Sequence, residues 1–347
     1  MAKGMRVKLN YEVSRDPDTG VEVTRLTPPE VTCHRNYFYQ KCFFNDGSHL
    51  LFAGEFDGHW NYYLLDLKNA EAVQLTEGAG DNTFGGFLSP DDTSFYYVKN
   101  DRSLLEVNLK TLVEREVYRV PDEWVGYGTW VANSDCTKLV GIEIAKSDWT
   151  PLNDWKIFHD FFHKGPHDLV DARMWLVNED GSNVRKVKEH APGESCTHEF
   201  WVPNGSALVY VSYLKGQQGR TISRYNPDTG VNEEVMKMPA CSHLMSNFDG
   251  TMLVGDGSGT PVDVKDTGGY TIDNDPYLYA FDVAKKAYFR IARHDTSWAT
   301  VANSRQVTHP HPSFTPDDTA VLFSSDKDGK PALYIAKLPE QPELLHA

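Results

Sequence analysis

Short runs of Val, Leu, Tyr, Phe and Trp recur along the chain between clusters of Gly, Pro, Asn and Asp, while long helical periodicity is scarce. That pattern predicts many short strands joined by tight turns. One signature repeats six times. It reads Asp46-Gly47-Ser48-His49-Leu50-Leu51-Phe52, Asp91-Asp92-Thr93-Ser94-Phe95-Tyr96-Tyr97, Asp135-Cys136-Thr137-Lys138-Leu139-Val140, Asn204-Gly205-Ser206-Ala207-Leu208-Val209-Tyr210, Asp249-Gly250-Thr251-Met252-Leu253-Val254 and Asp317-Asp318-Thr319-Ala320-Val321-Leu322-Phe323. In each copy an Asp or Asn precedes a turn residue and then an apolar strand. Asx side chains satisfy turn backbone groups, so this is hairpin chemistry.

The six turns are 45, 44, 69, 45 and 68 residues apart. A period near 45 with about four strands per unit marks an all-β propeller. The two long intervals each add about half a unit, and the second carries a Gly-rich insert at 255–269. The last unit ends soon after Ala332-Leu333-Tyr334-Ile335-Ala336, without an obvious fourth strand. The N-terminal segment 21–26 is expected to supply it, which makes residues 1–347 a single domain with no exposed edge at the closure.

Six residues before each turn stand Gln40, Gly85, Thr129, His198, His243 and His311. In a propeller the first strand of every blade lines the centre, so this column points at one axis whatever the sequence separation. Three of its six members are imidazoles. His309, two residues before His311, joins the same strand face because side chains alternate with period two. Imidazole suits transition ions. His243, His309 and His311, with an amide oxygen from Gln306, are therefore expected to form a metal cage; water-bridged polar residues lining a channel are the plainer alternative. The metal itself could be catalytic or could pin blades together. His198 suits either a fourth ligand or a base beside the metal. Arg173, in Asp171-Ala172-Arg173-Met174-Trp175, reads as a salt-bridge partner of Asp171 or Asp168, or as an anion-binding group.

Composition narrows the classes. With 34 Lys+Arg against 49 Asp+Glu the net charge is −15, which argues against nucleic acid or an anionic membrane as partner. No stretch approaches the roughly 18 apolar residues of a membrane span, and no apolar core follows Met1-Ala2-Lys3-Gly4-Met5-Arg6, so a signal peptide is not expected. Five cysteines, Cys33, Cys42, Cys136, Cys196 and Cys241, are an odd and unpaired set, which places the chain in a reducing cytoplasm. No Gly-x-Ser-x-Gly nucleophile turn is present, which argues against a peptidase.

Six segments stand out: Glu30-Val31-Thr32-Cys33-His34-Arg35-Asn36-Tyr37, Gly54-Glu55-Phe56-Asp57-Gly58-His59-Trp60, Gly165-Pro166-His167-Asp168-Leu169-Val170-Asp171-Ala172-Arg173, Pro192-Gly193-Glu194-Ser195-Cys196-Thr197-His198-Glu199-Phe200-Trp201, Cys241-Ser242-His243-Leu244-Met245-Ser246 and Gln306-Val307-Thr308-His309-Pro310-His311-Pro312. Together they resemble the oligogalacturonate lyase family. The resemblance implies a cytoplasmic enzyme that cleaves short oligogalacturonides, chiefly digalacturonate, by β-elimination. It implies a seven-bladed propeller, a manganese-type ion on His243, Gln306, His309 and His311, His198 as the base, and Arg173 as a charge-stabilising partner. His34, Arg35, Trp60, Trp130 and Tyr213 are candidate sugar contacts, although each residue type is more often core or rim. The family has seven blades where six turns are readable here, and Asp160-Phe161-Phe162-His163-Lys164 runs straight into Gly165-Pro166-His167. About one blade's worth of chain is thus expected to be absent near 162–165. The rival readings are a metal-dependent glycoside hydrolase and a non-catalytic propeller that binds a partner.

Overall fold

The structure is a computed structural model that describes residues 2–81, 85–132, 139–145, 175–176, 185–187, 194–214, 220–239, 241–257, 261–263, 270–272, 275–298 and 308–346. Among these residues there is no helix, and every ladder is antiparallel. The class is the all-β propeller. Its blades are built from the predicted turns. The Asp46 carboxylate accepts from the Ser48 amide at 2.9 Å and from its hydroxyl at 2.6 Å, and Gly47 between them takes φ of 72°. Asn204 and Asp249 make the same turn on the amides of Ser206 and Thr251, with Gly205 at 74° and Gly250 at 71°. Asp91 and Asp317 repeat it with Asp92 at 60° and Asp318 at 57°, so an aspartate stands in for glycine in the left-handed position. The Asp135 turn lies outside the described residues.

The chain divides into two compact units. The first comprises Met1–Trp155 and Ala292–Leu338. It holds a five-stranded sheet in the order Arg6–Lys8, Glu71–Gln74, Asn61–Asp66, His49–Gly54, Cys33–His34, and a four-stranded sheet in the order Glu114–Arg119, Ser103–Asn108, Ser94–Lys99, Phe87–Leu88. A second five-stranded sheet runs Glu12–Arg15, Glu22–Arg25, Ala332–Lys337, Ala320–Ser325, Ser313–Phe314. In it Arg25, Thr24 and Val23 face Tyr334, Ile335 and Ala336, so N-terminal and C-terminal strands share one ladder. The second unit comprises Lys156–Ile291 and Pro339–Ala347. Its sheets run Glu194–Trp201, Leu208–Leu214, Arg220–Tyr225, Asn232–Met238, and Cys241–Ser246, Met252–Gly257, Tyr277–Asp282, Ala287–Arg293. A small ladder of Pro261–Asp263 with Tyr270–Ile272 occupies the predicted Gly-rich insert.

The expectation of seven blades is not met. Among the described residues five sheets have four or five strands, which makes five blades. Among the described residues Trp124–Ala132 and Leu139–Ala145 form a two-stranded hairpin, and Trp175–Leu176 pairs with Arg185–Lys186. Residues 146–174, with the junction near 162–165, lie outside the described residues.

The N-terminus does more than the pattern foretold. Besides Glu22–Arg25, the strand Glu12–Arg15 extends one sheet, and Arg6–Lys8 covers the edge strand Glu71–Gln74, with Arg6 ion-paired to Glu71. Both devices blunt a sheet edge with charge. Val23 is buried, Leu26 shares a core cluster with Leu322 and Leu333, both fully buried, and Phe323 stacks on Tyr334 at 5.2 Å. Deleting residues 1–26 uncovers an edge containing Leu333, Tyr334 and Ile335. The expected outcome is concentration-dependent aggregation and loss of cooperative urea unfolding, read by light scattering and circular dichroism; a monodisperse, cooperatively folding product would contradict this role of the N-terminal strands.

Candidate metal and catalytic centre

In the second unit the innermost strands carry the column histidines on a common backbone irregularity. Along Glu194–Trp201 the register with Leu208–Leu214 slips between Thr197 and Phe200, and His198 sits in the slip with φ of 54°. Along Cys241–Ser246 the register slips between Ser242 and Met245, and His243 sits there with φ of 47°. Two residues on the inner strand thus oppose one on its neighbour, which is a β-bulge that re-aims a side chain. A left-handed non-glycine residue costs on the order of 1 kcal/mol. Its recurrence on two imidazoles one period apart points to function. The rings meet edge-on, 5.6 Å between centroids.

The electrostatics differ for the two rings. His243 Nδ1 donates to both oxygens of Asp256, at 2.9 and 3.0 Å, and that carboxylate is fully buried. His198 has its pKa lowered to about 4, chiefly by burial and further by its neighbours His243 and Arg220, with Asp256 opposing. It is therefore a neutral imidazole at pH 7, able to accept a proton. Arg220 also donates to the Cys241 carbonyl at 2.9 Å.

In the first unit His309 and His311 stack in parallel, 4.7 Å between centroids and 9° between planes, as period-two alternation requires. His311 has φ of 46° and lies between Pro310 and Pro312. Trp298 meets His309 edge-on at 5.2 Å. The backbone of this strand is clamped by Arg35, whose Nη1 donates to the His311 carbonyl at 2.5 Å and to Ser313 Oγ at 2.6 Å. The column logic also appears here in backbone form. Gln40 Nε2 donates to the carbonyls of Gly85, at 3.2 Å, and of Trp130, at 3.0 Å, one and two periods along the chain.

His34 and Arg35, expected as candidate sugar contacts, are both fully buried. Their short approach to the backbone explains why. His34 Nδ1 donates to the Arg35 carbonyl at 2.7 Å, and the Arg35 guanidinium is spent on main-chain and hydroxyl acceptors. Trp60 is likewise buried. Arg173 and Gln306 lie outside the described residues. Tyr213 is placed only as a strand residue opposite Ser195. Two residues that pattern reading passed over, Asp256 and Arg220, stand beside the imidazoles. The available signal for Asp256 was a carboxylate inside the apolar run Met252-Leu253-Val254-Gly255-Asp256-Gly257, where burial of an unpaired charge is costly.

A family model described as oligogalacturonate lyase matches residues 1–163 and 160–342. The chain is 60% identical to the oligogalacturonate lyase of Dickeya dadantii, over 98% of this chain and 99% of that one, and 59% identical to the oligogalacturonide lyase of Pectobacterium atrosepticum over the same shares. Both alignments span 384 positions although this chain has 347 residues, so these relatives carry chain that has no counterpart here. Among solved structures, an oligogalacturonate lyase in complex with manganese superposes with a TM-score of 0.89 at 58% identity, covering 98% of this chain and 99% of the other. An oligogalacturonate lyase from Vibrio parahaemolyticus gives 0.89 at 55% identity, with the same coverage.

Burial lowers the His34 pKa to about 3, so the folded protein keeps this ring neutral where an unfolded chain protonates it below about 6.5. Between those values the unfolded state binds the extra proton, so stability falls as pH drops from about 6.5 toward 3. Urea midpoints at pH 7 and pH 5 should diverge, and by less in His34→Gln; equal divergence would exonerate this ring. Arg35→Met removes the clamp and leaves the His311 carbonyl without that donor. A loss on the order of 3 kcal/mol is expected in urea unfolding.

Proposed function

Because the chain belongs to the oligogalacturonate lyase family, we propose that it cleaves short oligogalacturonides, digalacturonate foremost, by β-elimination to unsaturated uronate products. The observation that carries this reading is near-full-length identity of 60% to a curated lyase, together with imidazoles held on left-handed bulges. We read residues 1–347 as one propeller domain, since the relatives are matched along nearly their whole length. The buried free thiols Cys33, Cys42 and Cys241 support a reducing compartment, the cytoplasm.

The donor chemistry fits a manganese-type ion. His243, His309 and His311 can each offer one ring nitrogen, and with Nδ1 of His243 engaged by Asp256, Nε2 is the atom it presents. We assign these three and the Gln306 amide oxygen as the ligand set. Such an ion would supply Lewis acidity to the substrate carboxylate, which lowers the cost of removing the neighbouring proton.

The protein's own groups complete the chemistry. His198, neutral at pH 7, takes the proton from C5, next to the carboxylate. The C5–H electron pair becomes the C4–C5 double bond, the bond from C4 to the glycosidic oxygen breaks, and that oxygen leaves with its electron pair and takes a proton from water, while His198 returns its proton to solvent. A base with so low a pKa is weak, so acidification of C5 through the carboxylate must do much of the work. Arg173 is assigned to that carboxylate or to its developing charge, and Tyr213 to a sugar contact. The overall charge of −15 repels an anionic substrate, which makes a local cationic centre necessary.

Two experiments test the reading. Chelation should abolish the ultraviolet absorbance that a new C4–C5 double bond gives, and added Mn2+ should restore it; sugar release without that absorbance would mean hydrolysis, and no turnover of digalacturonate at all would leave the binding-module alternative. His198→Ala should lower the rate by about 10²–10⁴-fold with metal content unchanged. Loss of metal in this variant would make His198 a ligand.

A further inference from the structure

We propose that Asp256 is a positioning residue for metal binding, a buried carboxylate that fixes the tautomer and ring direction of His243. This rests on the ligand assignment made for His243 above. Asp256 follows Leu253 and Val254 on the strand Met252–Gly257 and has no exposed surface. A carboxylate in such a place is costly to bury and is retained where a partner needs it. Its two oxygens both meet His243 Nδ1, at 2.9 and 3.0 Å. A carboxylate can only accept there, so Nδ1 carries the hydrogen and Nε2 holds the lone pair. That is the tautomer a metal ligand requires, and a carboxylate behind a ligating imidazole also raises its basicity.

The local backbone explains why such a brace is needed and how it is kept dry. His243 sits on a bulge, where the strand register slips and the side chain is re-aimed. Asp256 pairs in register with Ser242, the residue just before the bulge, so its side chain reaches His243 across a single strand spacing. The next residue is glycine for a steric reason. A Cβ on Gly257 would come within 2.5 Å of the Asp275 carbonyl, so only glycine lets the Asp275 segment close against the strand end beside Asp256. Neither residue touches a substrate in this scheme; Asp256 acts through His243.

The test is titration of metal-depleted protein with Mn2+, followed by calorimetry and by the electron paramagnetic resonance of free Mn2+, in wild type, Asp256→Asn and Asp256→Ala. Wild type should take up one equivalent. Asp256→Asn keeps an acceptor but loses the charge and should bind about 10-fold more weakly, and Asp256→Ala, which loses both, nearer 100-fold. Lyase activity of Asp256→Asn should fall at limiting Mn2+ and recover at excess, whereas a merely structural loss would not respond to metal. Affinities within 3-fold of wild type in folded variants would overturn the proposal. So would failure of both variants to fold, which would make Asp256 a structural residue. Wild type that takes up no Mn2+ would sink the ligand assignment itself, an outcome distinct from unchanged variants.

Discussion

The chemistry depends on one backbone device, the left-handed bulge on the innermost strand. An ordinary strand alternates its side chains between two packed faces, and a centre-facing imidazole has no place in that alternation. The bulge breaks the register locally at His198 and His243, both in the left-handed region. The strain is small beside the packing that enforces it, because Val202, Ala207, Val209, Leu244 and Leu253 form a closed cluster around these two strands. His311 reaches a similar backbone state by other means, between two prolines and under the Arg35 clamp. Strain of this kind persists only where surrounding structure over-determines it.

Much of this was readable in the chain. The Asx turn is a local event: one side chain, two residues later an amide, and a left-handed residue between them. Sequence shows such events directly, and their spacing exposed the period and the histidine column. The Gln40 side chain on the Gly85 carbonyl shows the same logic holding inside the first unit. What stayed hidden is non-local. Nothing near Glu12 or Arg6 announces which edge it will cover, because a short, charged edge strand has little apolar pattern to set its register. His34 and Arg35 looked like sugar contacts because polar residues in a distinctive segment suggest a site. They are buried because a guanidinium with five donors can serve several carbonyls that no ladder satisfies. The seven-blade expectation came from the family resemblance; the turns counted six, and among the described residues five of those six units find four or five strands, because a turn says where a strand begins and not how many neighbours it will find.

The charge distribution separates function from solubility. A chain at −15 holds its excess acid at the surface, in pairs such as Arg115 with Glu106 and Arg119 with Glu116, where water screens each one and little stability is at stake. Beside the imidazoles the opposite regime holds. Asp256 is shut away from water, His198 is held neutral by burial, and Arg220 adds a positive field. In that low-dielectric setting single groups set protonation states. A uronate elimination needs a neutral base and a cationic partner for the carboxylate side by side, although each disfavours the other's charge. Desolvation reconciles them. It is the largest cause that lowers the His198 pKa, and the positive charge of Arg220 acts in the same direction. The price is a weak base, and this explains why the acidity of C5 must be raised on the substrate side. In the proposed scheme, burial of His198 and a cation at the carboxylate are two halves of one requirement.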